Sequence, residues 1–154
     1  MSTAEESAQD LLALLPLLNR MMIAELRQND SDDTTMPQFR VLSYLAEEPM
    51  TLSVIARRRR VSLQSAGELV QALVDRGWVT RVADPNDRRQ TLLHLTKAGQ
   101  QQYELANHRM LTHLIPLMDN LTSEEMAAVQ VALHALRRVL AGEQTLEEVT
   151  NDSQ

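Results

Sequence analysis

The chain has 154 residues, no cysteine, 44% hydrophobic but only 3% aromatic residues, and a formal net charge of −6. The apolar fraction excludes global disorder. The missing cysteines exclude disulfides, thiolate metal sites and a cysteine redox switch, while abundant Leu, Ala and Met beside few aromatics favour helices over strands.

The charge is unevenly divided. Residues 57–97 hold nine Lys/Arg and four Asp/Glu, a net of +5, and the remainder holds six and seventeen, a net of −11. A basic segment on an acidic body makes a polarised molecule that suits docking on phosphates. A solvated basic face is the plainer alternative. Length allows one compact domain, in one or two lobes.

Residues 1–10 are polar and read as a frayed end. No signal peptide pattern is present, so the expected location is the cytoplasm. The run 11–26 turns apolar. Leu11, Leu14, Leu15, Leu18 and Met22 keep helical spacing, and Leu12, Leu17 and Met21 cover a second side. A helix apolar on most sides must be buried on most sides, which implies packing against more than its own chain. Residues 11–18 are too few to span a bilayer, and no membrane partner is expected. Pro16 should kink or restart the helix. Met21 and Met22 give a pliable surface. With a basic neighbour, Arg20 or Arg40, they form a candidate pocket for a small-molecule effector, although plain core is the commoner use of such a pair.

Residues 29–35 read as a polar loop. Thr34 or Thr35 caps the next helix, with Pro37 in its first turn. Phe39, Val41, Leu42 and Leu45 point inward, and the helix stops before Pro49. Thr51 caps a further helix with Leu52, Ile55 and Ala56 buried. It runs into four arginines, Arg57, Arg58, Arg59 and Arg60. Cations suit a helix C-terminus, but four exceed what capping needs and are well placed for phosphates.

Ser62 caps the helix 63–76. Leu63, Ala66, Leu69, Val70 and Leu73 make its inner stripe, and Gln64, Ser65, Glu68 and Gln71 fall outside. Gln pairs bidentately with adenine, and a carboxylate accepts from the cytosine amino group. Gly67 in mid-helix costs about 1 kcal/mol relative to Ala and would let another surface approach closely.

Gly77 ends this helix. Residues 78–82 and 91–95 read as two strands joined through the turn 84–87. Arg88 and Arg89 follow that turn, the composition of an arm drawn to the negative potential of a narrow minor groove. Asp87 is read as orienting a nearby arginine. Thr96 caps a long helix with the stripe Tyr103, Ala106, Met110, Leu114 and Leu117, bent by Pro116. Thr122 and Glu125 form a capping box for a last helix. Its seam, Met126, Val129, Leu133, Leu136 and Leu140, suits helix pairing but is too short for a free-standing coiled coil. Gly142 should end it, leaving an acidic tail at 143–154. No internal repeat is visible.

The stretches Gln38-Phe39-Arg40-Val41-Leu42, Ile55-Ala56 and Leu73-Val74-Asp75-Arg76-Gly77-Trp78-Val79 resemble the MarR family of bacterial winged helix-turn-helix regulators. The most specific part is Asp84-Pro85-Asn86-Asp87-Arg88-Arg89 followed by Leu95-Thr96-Lys97-Ala98-Gly99. The resemblance is good over residues 36–99 and extends to the flanking helices in number and character.

It implies a mainly α fold with a small β-hairpin wing, divided into an N-terminal dimerisation helix (1–35), a winged helix-turn-helix domain (36–99) and C-terminal dimerisation helices (100–154). It further implies a homodimer reading a palindromic double-stranded DNA operator. Repression would be relieved when a small aromatic or anionic effector binds between the dimerisation helices and the winged domain. Gln64, Ser65 and Glu68 match base-reading positions, Arg89 the wing arginine and Asp87 the aspartate beside it. With Arg57, Arg58, Arg59, Arg60, Ser62, Gln71 and Arg88 they make the expected DNA-contact set. The dense arginine run, Gly67 and the absence of cysteine depart from the family pattern, and the last argues against thiol-oxidation control.

Other chemistries have less support. Glu104 and His108 share a helix face at i, i+4, but His113 is turned away, and neither His94 nor His134 completes a set, so no metal or other cofactor is expected. There is no glycine-rich phosphate loop, nucleophile elbow or HExxH, and four glycines leave little for a phosphate cradle, so no enzyme is expected. The rival from another class is a winged-helix protein-interaction module, because fold alone does not settle function.

Overall fold

The computed structural model describes residues 3–27 and 34–151, with side chains to residue 142. Its elements, in chain order, are α1 (Ala4–Leu26), α2 (Met36–Glu47), α3 (Leu52–Arg59), α4 (Leu63–Asp75), β1 (Val79–Ala83), β2 (Thr91–Leu95), α5 (Lys97–Met118) and α6 (Ser123–Asn151). They fall into two units, Met1–Leu111 and Thr112–Gln154.

Caps set most helix starts. Thr3 and Glu6 form a capping box at 2.8 and 3.2 Å, so α1 is ordered from Ala4 where a frayed end was expected. The helix also runs through Pro16 without restarting. Pro16 lacks only its own N–H, and the turns on either side keep theirs. At α2 the cap is Thr35, boxed with Gln38 at 3.0 and 3.3 Å. Thr34 has another role: it is buried and accepts a 2.8 Å hydrogen bond from Gln102 Nε2 on α5. Residues 29–33 of the expected loop lie outside the described residues. Thr51 and Ser62 cap α3 and α4 as their sequence positions imply.

The core of the first unit forms where the helical stripes meet the hairpin. Leu42, Ile55, Leu73, Val41 and Val70 are fully buried, joined by Leu45, Ala66, Trp78, Val79 and Leu93. Each such large aliphatic side chain contributes about 1.5–3 kcal/mol through burial. A second cluster, Leu26, Phe39, Ala106 and Met110, ties α1, α2 and α5 together, with the Phe39 and Tyr103 rings stacked 5.7 Å apart.

Leu63 departs from the inner stripe that its spacing predicts and is 56% exposed. It is the first residue of α4 and edges an open cleft beside α3 and β2, where no element covers it. Leu117 likewise departs from the α5 stripe and is exposed.

The hairpin is antiparallel, Val79 pairing with Leu95 and Ala83 with Thr91. Met50, just before α3, exchanges backbone hydrogen bonds with Leu93 at 2.8 and 3.3 Å, adding a one-residue third strand. Gly77, at φ +74°, closes α4. Its N–H reaches the Val74 carbonyl, and the Trp78 N–H reaches the Leu73 carbonyl, the paired bonds of a Schellman turn.

The wing is then fastened to α5. Thr96 caps α5 through the Gly99 N–H at 3.0 Å, donates its hydroxyl to the Gly77 carbonyl, and donates its N–H to the Trp78 carbonyl at 3.0 Å. Gly99 sits directly on that Trp78 carbonyl. The Leu-Thr-Lys-Ala-Gly sequence is therefore a joint between hairpin and helix.

In the second unit, Thr122 and Glu125 form the expected capping box at 2.8 and 3.2 Å. The hydrogen bond from the Thr122 backbone, then that from its hydroxyl, holds the Glu125 carboxyl below its ordinary range. The charged cap is thus present at neutral pH and is lost as pH falls through that lowered value. α6 does not end at Gly142 but continues to Asn151, so the expected acidic tail is helical up to there. A glycine weakens a helix by about 1 kcal/mol, too little to stop one of this length. Residues 152–154 lie outside the described residues.

Many aliphatic side chains stay uncovered. Leu12, Leu14, Leu15, Leu17 and Leu18 are exposed on α1, and Val131, Leu133, Val139 and Leu140 on α6. No helix among the described residues is long and apolar enough to cross a membrane.

Candidate nucleic-acid interface

The ends of α3 and α4 decide where the basic residues lie. Arg60 adopts left-handed geometry at φ 51°, which turns the chain from α3 into the cap of α4. A side chain in that conformation costs of order 1–3 kcal/mol, so glycine would be the relaxed choice there. The arginine run is thereby dispersed. Arg58 returns to α2, pairing with Glu48 at 3.3 Å and Glu47 at 4.0 Å and lying 5.6 Å from the Tyr44 ring centre. Arg57 is exposed and lines the cleft between α3, the start of α4 and β2. Arg59 is half-buried and Arg60 exposed.

On α4, Ser62 is spent on the Ser65 N–H at 3.1 Å. Gln64, Ser65, Glu68 and Gln71 are all exposed, as their spacing requires. Gln64 Nε2 lies 3.5 Å from Glu68 Oε1, so the carboxylate's partner is a neighbour on its own helix. Gln71 Nε2 donates to Asp75 at 2.7 Å, and its Oε1 accepts from Arg81 on β1 at 2.9 Å. This bond puts the outer side of α4 and the wing on one side of the first unit. Arg81 was not singled out from the sequence. The only signal was its basic charge inside the positive segment, because the strand Val79-Thr80-Arg81-Val82-Ala83 shows no period-two alternation. Which face it would meet needed the structure.

Arg76, at the other end of α4, stacks 3.8 Å from the Trp78 ring centre and donates to Gln38 at 3.4 Å. It serves the fold.

Asp87 organises the wing tip. Its Oδ1 accepts the Arg89 N–H at 3.1 Å and lies 3.9 Å from Arg89 Nε, while its carbonyl accepts from Gln90 N–H at 2.9 Å. Asp84 accepts from the Asn86 N–H at 2.9 Å, closing an Asx-turn. The Arg89 side chain is 96% exposed and Arg88 is exposed beside it.

Gly67 has room for a side chain: an added Cβ would meet only Leu52 Cδ2, at an ordinary 3.7 Å. Gly67→Ala is therefore expected to raise stability by about 1 kcal/mol, checked by urea denaturation. If the space above Gly67 receives DNA, the same variant binds DNA more weakly. Opposite signs in the two measurements mark a glycine kept for contact, and parallel signs contradict that use.

Of the residues expected to hold an effector, Met22 and Arg40 come together in a groove with Leu12, Leu15, Pro16, Leu18 and Asn19. Arg20 and Met21 do not line it. Glu104, considered above with His108, accepts from Gln100 at 2.8 Å.

A family model described as MarR family matches residues 32–90. The multiple antibiotic resistance protein MarR of Escherichia coli K12 is 31% identical over 113 residues, covering 70% of this chain and 74% of that protein. Among solved structures, RV1404 of Mycobacterium tuberculosis superimposes with a TM-score of 0.78 at 25% identity, covering 92% of this chain and 97% of that one. A mutant of E. coli MarR complexed with operator DNA superimposes at 0.64 and 25% identity, covering 84% and 91%. The sequence match to E. coli MarR, the helical fold with its hairpin wing, and the joint from Leu95 to Gly99 agree: the chain belongs to the MarR family of winged helix-turn-helix transcriptional regulators.

Proposed function

We propose that the protein is a cytoplasmic homodimer that binds a palindromic DNA operator, represses transcription from it, and is released by a small aromatic or anionic effector. The observation that carries DNA binding is the Arg81–Gln71 bond, which sets wing and outer α4 on one side with Gln64, Ser65, Glu68 and Arg89 all uncovered. In this reading α4 enters a major groove and the wing tip meets the adjacent minor groove. Gln71, held at both ends, positions Arg81 rather than reading a base. The similarity to the E. coli MarR mutant complexed with operator DNA supports DNA binding by this chain.

Dimerisation is supported by the leucines of α1, which a soluble monomer does not leave in water as one patch. The two winged units of such a dimer would meet half-sites about 34 Å apart, one duplex turn. Sedimentation at micromolar concentration is expected to give twice the chain mass, and a monomer contradicts the dimer.

Effector control draws on the groove of Met22 and Arg40, whose apolar wall and single guanidinium suit an aromatic anion. Thermal shift against a panel of aromatic acids should give a stabilised hit that Arg40→Ala abolishes and that releases DNA. A panel with neither stabilisation nor release contradicts this arm alone.

DNA binding itself is tested by anisotropy on mixed-sequence duplexes. Affinity should fall linearly on a log–log salt axis, with a slope of about −0.9 per phosphate neutralised. No binding at low salt would favour a protein-interaction module.

A further inference from the structure

An α4 in one groove and a wing tip in the next leave a single sugar-phosphate strand to pass between them. The structure has a cleft at that place, about 490 Å³ in volume, between the first turn of α3, the first residue of α4 and the start of β2. Its polar lining comes from Thr51, Ser53, Arg57, Gln90 and Thr91, and no carboxylate lines it. Arg57 makes no ion pair among the described residues, whereas Arg58 pairs with Glu47 and Glu48, and Arg89 Nε lies 3.9 Å from Asp87. Ser53, Gln90 and Thr91 are exposed. The exposed Leu63 forms the apolar rim on the α4 side.

With the Thr51 hydroxyl spent on the Val54 N–H, a guanidinium, two hydroxyls and an amide remain beside an apolar edge, and they match a phosphodiester with its deoxyribose. Arginine, serine, threonine and glutamine are the side chains that bond phosphate oxygens, and the sugar carbons need an apolar neighbour.

We propose that this cleft seats a backbone phosphate of the strand lying between the two grooves. Arg57 supplies the charge, Ser53, Gln90 and Thr91 donate hydrogen bonds, and Leu63 packs against the sugar. This seat fixes register on the duplex and carries no sequence information. It explains why Leu63 is left exposed at the end of an otherwise buried stripe. The inference rests on the DNA-binding reading above and deepens it.

The test uses the full-length protein and a duplex selected from a random pool, with each phosphate replaced in turn by an uncharged methylphosphonate. For the wild type, neutralising the seated phosphate in each half-site should weaken binding about tenfold. Arg57→Gln, Ser53→Ala and Thr91→Val, all exposed and checked for an unchanged melting temperature, should each bind the unmodified duplex more weakly. Each should also lose sensitivity at that same phosphate, and Arg57→Gln should lower the salt slope by about 1 per half-site. Variants that keep the full wild-type sensitivity at every phosphate overturn the seat, with DNA binding intact. A wild type that binds no duplex at low salt overturns the DNA-binding reading and the seat with it.

Discussion

Gly99→Ala is expected to lower the melting temperature by on the order of 10 °C. A Cβ at this position would lie 1.9 Å from the Trp78 carbonyl oxygen and 2.8 Å from its carbon. Both are backbone atoms, so neither can rotate away. The Trp78 carbonyl is also fixed from the other side, because it accepts the Thr96 N–H at 3.0 Å. Relief requires α5 to lift from the hairpin, breaking the Thr96 hydroxyl bond to Gly77 and uncovering Trp78, which is 7% exposed. Overpacking of this kind costs about 3 kcal/mol or more when the opposing group is backbone. Thermal and urea unfolding check it. A melting temperature unchanged from wild type would mean that the joint between wing and α5 is loose, contrary to its hydrogen bonds.

Arg89→Ala is expected to weaken DNA binding by about 10–100-fold while leaving stability unchanged. The side chain is 96% exposed, and its one ion-pair partner among the described residues is Asp87, so its removal uncovers nothing. Its N–H, by contrast, is held by Asp87 at 3.1 Å, and the whole tip is braced by turn hydrogen bonds from Asp84 and Asp87. That arrangement fixes the backbone and leaves the guanidinium open to meet DNA, which lowers the conformational entropy lost on binding. Asp87→Ala, which loosens the tip without removing the cation, should show a smaller loss. Arg137→Ala on α6 is the matched control: it removes the same charge from the acidic remainder of the chain and should change affinity less than about twofold. Equal losses for Arg89 and Arg137 would reduce the wing to general electrostatics.

The parts of the fold that were legible in the sequence are those written in local chemistry. The Thr51 and Ser62 caps, the Gly77 terminus and the Thr122–Glu125 box each rest on residues within five positions of one another. The Thr3–Glu6 box belongs to the same class and was legible in principle, but the polar character of residues 1–10 masked it. Non-local pairings were not legible. The bridge from Met50 to Leu93 spans 43 positions and leaves no period in either segment.

The site divides the same way. Exposure of Gln64, Ser65, Glu68 and Gln71 followed from helical spacing, because the buried stripe of α4 sets the opposite face. The fate of each arginine did not follow. Arg58 and Arg57 are adjacent in sequence, yet one pairs with Glu48, the C-cap residue of α2, and the other opens onto the cleft by β2. A helix turns 100° per residue, so a run of four like charges cannot share one face. Leu63 failed for a related reason. Its spacing to Ala66 and Val70 is correct for burial, but a stripe is buried only where a neighbouring element covers it.

The polarity of charge carries the functional reading further than the total does. The +5 segment, residues 57–97, contains the arginine run at the end of α3, all of α4 and the hairpin, while the rest of the sequence carries −11. In the proposed function, such a distribution would draw duplex DNA to the basic segment and orient the encounter before any base is read.

Operator reading by a symmetric dimer can be measured by selecting bound duplexes from a random pool at several salt concentrations. The selected pool is expected to be enriched in a palindrome with half-sites one helical turn apart, about 34 Å, with affinity that falls steeply and linearly with salt on logarithmic axes. No enrichment even at low salt, or enrichment of a single site without two-fold symmetry, would contradict it.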